Sequence, residues 1–388
     1  MTAQVTPVEP GPSLTPERLA RYARQLALPG FDELAQRRLA SARVLVIGAG
    51  GLGSATVPYL AAAGIGTIGI VDTDVVELSN LHRQIAHGMN DLGRSKIDSI
   101  TDAVLAIDPE IVVVPHPVRL DSSNALDLFA HYDLVLDGSD NFPTRYLVSD
   151  AAQLSGIPLV WGSILGYGGQ VGVSWAEHGP TWRDLFPQPP APGEVPSCAT
   201  GGVLPGVCAT IGSIMVTEAM KLLTGVGRPL LGRVSVYDAI TATFREVRFE
   251  RSPDAAAVTG LVDYELFCGL RQAEGTAVPM AEHSGTEVSP ARLAELLREP
   301  GKLQLIDIRE PWEARIVSLE GSELIPLGGL PDAIDRVRRD VPVVLYCHSG
   351  ARSAQAVRFL ENAGVRASHL TGGIDAYATS IDPSLARY

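Results

Sequence analysis

Residues 43–96 constrain everything else in this chain. Val44–Ile47 is a short apolar run, and Gly48-x-Gly50-Gly51-x-Gly53 follows it directly. An alanine-rich segment, Ala55–Ala63, has helix composition, and Ile68–Val71 is a second apolar run. Strand, glycine loop, helix and strand in that order make a nucleotide-binding turn: the glycines let backbone approach a phosphate, and the helix start offers free N–H groups. Asp72 closes the second strand where an acidic side chain usually holds ribose hydroxyls. Val44 to Val71 carries no charge and could span a bilayer by length. Glycines and Pro58 interrupt it, however, and a buried parallel sheet explains the same run. The expected class is α/β, a Rossmann-like doubly wound sheet, with no membrane partner.

At 388 residues the chain should form two or three domains. A net charge of −13 argues against nucleic acid as a partner, because no basic face is available to neutralise phosphates. The opening MTAQVTPVEPGPSLTPERL lacks a basic and then an apolar region, so no secretory signal is expected. Four scattered cysteines do not make a disulfide framework, and a reducing cytoplasm is the expected setting. Residues 1–14 are rich in proline and small polar side chains and are expected to be disordered. Thr15-Pro16-Glu17 then starts a helix carrying Arg21, Tyr22, Arg24 and Gln25. By pattern alone that helix reads as a solvated basic face.

Beyond the glycine loop, Asp72-x-Asp74 leads into Asn80-Leu81-His82-Arg83-Gln84 and then Gly93-Arg94-Ser95-Lys96. A dehydrogenase has no need of these cations, whereas cleavage of a triphosphate builds charge that cations stabilise. Strands are expected at Ile111–Val114 and Leu134–Leu136, the latter ending in Asp137-Gly138-Ser139-Asp140-Asn141. Asp140 is a candidate for Mg2+, which takes one or two carboxylates plus substrate phosphates. The alternative is an acid capping the next helix.

In order and spacing, RYxRQ at 21–25, GAGGLGS at 48–54, NLHRQ at 80–84, GRSK at 93–96 and DGSDN at 137–141 resemble the MoeB/ThiF adenylyltransferases, relatives of ubiquitin-activating enzymes. The likeness runs on through PSCATGG at 196–202 and covers an adenylyltransferase domain of residues 15–268. The resemblance implies that Gly48, Gly50, Gly51 and Gly53 cradle ATP, Asp72 binds its ribose, and Asn80, Arg83 and Lys96 its phosphates. It implies Mg2+ on Asp140, and a homodimer in which Arg24 reaches the partner subunit's site. The implied partner is a small ubiquitin-like sulfur carrier ending in Gly-Gly. Many members of the family bind structural zinc through two Cys-x-x-Cys pairs. Here the first position reads Thr181-Trp182-Arg183-Asp184 and the second keeps only Cys268, so no zinc is expected. In the family a cysteine at the place of Cys198 forms a covalent link to the carrier or a relay disulfide; an ordinary loop cysteine is the alternative. Cys208, Met215 and Met220 read as core.

Residues 269–290 turn polar and lose periodicity, as a linker does. A smaller α/β domain is expected over 291–388, opening with a helix, Ala291–Leu297, and a strand, Leu303–Ile308. Its centre is the strand Val343–Tyr346 followed by Cys347-His348-Ser349-Gly350-Ala351-Arg352. A cysteine between a strand and a helix start meets backbone N–H groups and the helix dipole, which favour a thiolate or persulfide. Phosphatases of this architecture space Cys and Arg by five residues; the four here suit sulfur. With Asp307-x-Arg309-Glu310 and Leu370-Thr371-Gly372-Gly373-Ile374, the unit resembles a rhodanese sulfurtransferase. That resemblance gives Arg352 the anionic donor, thiosulfate or a desulfurase persulfide. His348 stands where the family more often has Arg.

The combined expectation is an enzyme that adenylates the carrier's carboxyl terminus and converts it to a thiocarboxylate with sulfur from Cys347. Molybdopterin synthesis is the expected setting, with cysteine, thiamine or tRNA thiolation as other duties. The rivals are an NAD- or flavin-linked oxidoreductase with a rhodanese tail, a non-enzymatic sulfur-relay scaffold, and a relative that activates a tRNA carboxylate.

Overall fold

A computed structural model describes residues 6–190, 201–253, 258–269, 287–298 and 301–388. The chain divides into two compact units, Met1–Ala273 and Glu274–Tyr388.

The first unit is built on one sheet of eight strands. They are β1 (Arg43–Ile47), β2 (Thr67–Val71), β3 (Val112–His116), β4 (Leu134–Asp137), β5 (Leu159–Leu165), β6 (Gly168–Ser174), β7 (Arg233–Asp238) and β8 (Thr243–Arg248). Their order is β3-β2-β1-β4-β5-β6-β7-β8; β1 to β5 are parallel, and β5 to β8 form an antiparallel meander. Strand side chains alternate between faces. Accordingly Val44 and Val46 of β1 enter one core with the helix Gly51–Ala63 and the helix Pro205–Thr224, while Leu45 and Ile47 enter a second with the helix Phe142–Ser155. Among the described residues Pro205–Thr224 is long and apolar enough to cross a membrane, but here it lies in the first core. The first helix starts at Gly51, four residues earlier than its alanine content suggested.

The expected disorder of residues 1–14 does not hold for its described part. Val8 is buried in the first core, and Arg37 Nε donates to the Gly11 carbonyl at 2.7 Å. Thr15 caps the helix Pro16–Arg21 as expected, accepting from Arg18 N. The basic face that follows is only partly solvated. Arg18 and Arg21 pair with buried Asp108 at 2.7 and 3.2 Å, the Tyr22 hydroxyl donates to the same carboxylate, and Gln25 donates to the Ala63 carbonyl.

The second unit is a parallel sheet of β9 (Glu287–Val288), β10 (Gln304–Asp307), β11 (Glu323–Leu324), β12 (Val343–Tyr346) and β13 (Ser368–Leu370) in the order β11-β10-β12-β13-β9. Val343 and Leu345 face one core, Val344 and Tyr346 the other. The end of the expected linker is therefore structured. β9 pairs with β13, and Ser289 caps the helix Pro290–Leu296.

Candidate active sites

In the first unit strand order reverses between β1 and β4, the place where open α/β sheets bind ligands beyond the strand ends. The glycine loop fills that end. A Cβ on Gly53 would overlap the Gly48 carbonyl oxygen, so the helix can start this close to its own loop only with glycine there. Asp72 braces the turn: one carboxylate oxygen accepts from Ala49 N and the other from Asp74 N, each at 2.7 Å. Its carboxylate thus serves the loop's backbone.

The NLHRQ segment folds onto the loop. Ser54 Oγ accepts from Ala86 N at 2.6 Å, and the His87 ring sits between the Ala49 carbonyl and Ser99 Oγ. Burial depresses the His87 pKa below the usual imidazole value, favouring the neutral ring. Arg83 Cδ lies 3.8 Å from where a Gly51 Cβ would stand, and Gln84 Nε2 equally near the Gly50 position. Arg83 itself donates to the Ser79 carbonyl at 3.0 Å. Asn80 is buried, and its Oδ1 accepts from Glu77 N, so its carboxamide closes a local turn. Val75 bridges Ser95, bringing GRSK back to the Asp72–Asp74 turn. Lys96, 6% exposed, pairs with Asp74 at 2.8 Å. Arg94 of the same motif faces outward to Asp91 and Asp102.

The DGSDN loop is tied to β1 through Gly138 N, which donates to the Ile47 carbonyl at 3.0 Å. Buried Arg145 holds it from below, donating to the Ser139 and Gly162 carbonyls. Asp137 is buried, which pushes its carboxyl up. Asp140 is exposed, and the next helix is capped by Asn141, whose Oδ1 accepts from Thr144 N at 3.0 Å. The capping alternative for Asp140 therefore falls. An exposed carboxylate beside a phosphate-binding loop fits the donor set of Mg2+, which would take phosphate oxygens and water for its other ligands. Among the described residues no three His, Cys, Asp or Glu side chains cluster as a metal cage. Arg24 is exposed, and no side-chain hydrogen bond or ion pair holds it among the described residues, unlike Tyr22 and Gln25 of RYxRQ. Cys198 lies outside the described residues. Cys208 is buried as expected, with Sγ 3.1 Å from the place of a Gly51 Cβ.

The segment positions of the family's zinc ligands do not fit zinc. Arg183 makes a two-pronged pair with buried Asp150 at 2.8 and 2.6 Å, and Tyr264 donates to the same carboxylate at 2.6 Å. The guanidinium also lies 4.6 Å from the Tyr146 and Phe267 ring centres. A cation occupies the site, Cys268 is the single soft donor, and burial pushes that thiol up rather than toward the thiolate a metal needs. A cavity of about 400 Å³ lies elsewhere, on β5–β8, lined by Ser163, Leu165, Phe186, Val236, Tyr237 and Arg245. Ile164, between two of those residues, points to Gly51 on the other face, so the sheet separates this cavity from the glycine loop.

In the second unit Cys347 follows β12 directly and is 1% exposed. Gly350 N donates to its Sγ at 3.1 Å, and Ser353 Oγ lies 3.6 Å away, just inside the helix Ala351–Asn362. The sulfur is buried, and the loop supplies it with the Gly350 amide. The GGI motif supports that loop: Ile374 N and Asp375 N donate to the Cys347 and His348 carbonyls, and a Cβ on Gly373 would overlap both oxygens. Arg352 is held by Glu313 through two bonds of 2.7 Å. Burial alone would raise Glu313, but donors from Arg352, Glu310 N and Tyr388 bring it down to about 2. Sequence reasoning missed Glu313 and Tyr388. Glu313 follows the Asp307-x-Arg309-Glu310 signature closely enough to have been found, whereas nothing around Tyr388 marks it.

A glycine loop approached by Arg83 and a cysteine held by the Gly350 amide at a helix start are the arrangement of nucleotide chemistry in one unit and sulfur chemistry in the other. The ThiF family model matches residues 22–257 and the rhodanese-like domain model residues 289–380. The chain is 49% identical over 388 residues to the probable adenylyltransferase/sulfurtransferase MoeZ of Mycobacterium tuberculosis, covering 98% of each. It is 49% identical to the sulfur carrier protein adenylyltransferase of Thermus thermophilus (66% of this chain, 99% of that one) and 38% identical to adenylyltransferase and sulfurtransferase MOCS3 of Bos taurus (99% and 90%). A crystal structure of E. coli MccB with MccA-N7isoASN shares the fold at a TM-score of 0.56 and 18% identity, over 65% of this chain and 74% of that one. The chain belongs to the ThiF family, with a rhodanese-like domain after it. It is an adenylyltransferase and sulfurtransferase.

Proposed function

We propose that this enzyme uses ATP to adenylate the C-terminal carboxylate of a ubiquitin-like sulfur carrier ending in Gly-Gly, then converts it to a thiocarboxylate with sulfur carried on Cys347. What supports this reading most is the return of Arg83 and Lys96 to the glycine loop of the first unit. A nicotinamide or flavin enzyme has no use for them, nor for an exposed Asp140.

The carrier carboxylate attacks the α-phosphorus of ATP, and pyrophosphate leaves with the bonding pair. Attacker and phosphate are both anions, so Arg83 and Lys96 lower their repulsion and stabilise the departing charge. The glycine-loop amides orient the triphosphate, and Asp72 fixes that loop and faces the ribose. Arg24, exposed and uncommitted, is available to complete the site of a second subunit in a homodimer. Mg2+ held by Asp140 would supply further charge neutralisation on the phosphates.

Cys347 first takes a sulfane sulfur from its donor, thiosulfate or a desulfurase persulfide, on which Arg352 acts as the cation. The terminal sulfur of the Cys347 persulfide then attacks the acyl carbon, and AMP leaves with the C–O pair. The product is an acyl disulfide. A thiol, for which Cys198 is the candidate, attacks Cys347 Sγ, releasing the thiocarboxylate and leaving a protein disulfide for cellular thiols to reduce. A reducing cytoplasm suits those steps, and molybdenum cofactor assembly is the pathway the reading favours.

The two units divide this labour, so Cys347→Ala should keep acyl-adenylate formation and abolish thiocarboxylate, whereas Asp140→Ala should lose both. Mass spectrometry of the carrier's C-terminus reads both products. Loss of adenylation in Cys347→Ala would sink the division.

A further inference from the structure

The Arg352–Glu313 pair is one end of a longer chain of bonds. Buried Asp307 holds Arg309 at 2.6 and 2.9 Å; Arg309 Nη1 donates to the Tyr388 hydroxyl at 2.9 Å; that hydroxyl donates to Glu313 Oε1 at 2.9 Å. The Tyr388 ring meanwhile packs on the His348 imidazole, 4.5 Å between centres, with Trp312 edge-on at 6.1 Å. His348 Nδ1 is buried and has no hydrogen-bond partner. One tyrosine thus touches both the residue after Cys347 and the carboxylate that fixes Arg352.

We propose that Tyr388 is a positioning residue for sulfur transfer. Its hydroxyl sets the Glu313–Arg352 pair beside Cys347, and its ring shields the His348 imidazole from water. This rests on the reading that Cys347 carries the sulfur. In the loading step the Cys347 thiolate attacks the outer sulfur of thiosulfate, and sulfite leaves with the S–S pair. Arg352 binds that dianion only where Glu313 holds it. The shielded imidazole stays neutral because burial opposes its charge, with Arg352 and Arg309 acting the same way against Asp375 and Glu313. A protonated His348 would change the charge next to the reacting sulfur.

The test uses the full chain and two readouts. Thiosulfate loading of Cys347, followed as the mass gain of one sulfur atom, gives kcat and KM; iodoacetamide alkylation of the Cys347 peptide gives a pH profile. Tyr388→Phe keeps the ring and loses the hydroxyl. Its KM for thiosulfate should rise about tenfold, the size of one hydrogen bond to a charged group, with a smaller change in kcat. Tyr388→Ala should show the same rise and a new inflection in the alkylation profile near the ordinary histidine pKa of about 6.5. Adding His348→Asn should erase that inflection. An unchanged KM in Tyr388→Phe, or a Tyr388→Ala profile identical to wild type, overturns the proposal. If Tyr388→Ala does not fold, Tyr388→Phe decides through KM; if thiosulfate does not load the wild type, the alkylation profiles decide. Sulfur loading that persists in Cys347→Ala would instead overturn the underlying reading.

Discussion

Arg94 and Lys96 stand two positions apart in one motif and are put to opposite uses. Arg94 reaches outward to Asp91 and Asp102 with 42% of its side chain exposed, while Lys96 is buried against Asp74 at the turn that braces the glycine loop. Exposed pairs of the first kind are screened by solvent and contribute little. A cation aimed at developing phosphate charge is worth far more, about 10²–10³ in rate. Lys96→Met and Arg83→Met should therefore each lower adenylation by about a hundredfold or more, and Arg94→Met should leave both rate and melting temperature nearly unchanged. Adenylation rates of the three purified variants check this; equal losses in all three would show that the motif acts as a surface patch. The residue types of this candidate site could be proposed from the sequence because phosphate chemistry limits them. Their partners were not: Asp74 for Lys96, Asn141 rather than Asp140 as the helix cap, and Glu313 for Arg352 depend on side-chain direction after folding.

Among elements, the two short helices Trp182–Leu185 and Tyr264–Phe267 lie far apart in sequence and are joined through side chains. Arg183, clamped by Asp150 and lying against Tyr146 and Phe267, does the joining, and Tyr264 donates into the same carboxylate. Removing one partner of such a buried pair costs about 3–5 kcal/mol, because the other charge stays behind. Arg183→Ala should lose stability on that scale in chemical denaturation, and a strong zinc chelator should not move the wild-type melting temperature. A wild-type protein that melts earlier in chelator would contradict the assignment. The loss of Cys-x-x-Cys was visible in the sequence, but the replacement was not, since an Arg and an Asp thirty-odd positions apart carry no pairing signal. Strands and the glycine turn were read well because periodicity and loop chemistry are local. The segment 6–14 and β9 were misread for the opposite reason: Val8 and Glu287–Val288 find their partners only in the folded unit.

Across the whole molecule, the proposed function has the glycine loop and its two returning cations make an acyl-adenylate that the cysteine loop of the second unit then uses. The phosphate-facing cations belong to the first unit and the sulfur-bearing cysteine to the second, which is why Cys347→Ala should separate the two steps. ATP–pyrophosphate exchange in the presence of magnesium, with a sulfur carrier ending in Gly-Gly and with the same carrier lacking those two glycines, isolates acyl-adenylate formation. Exchange should depend on the intact tail and survive Cys347→Ala. Exchange with neither carrier, alongside a tightly retained nicotinamide or flavin, would contradict the proposed function.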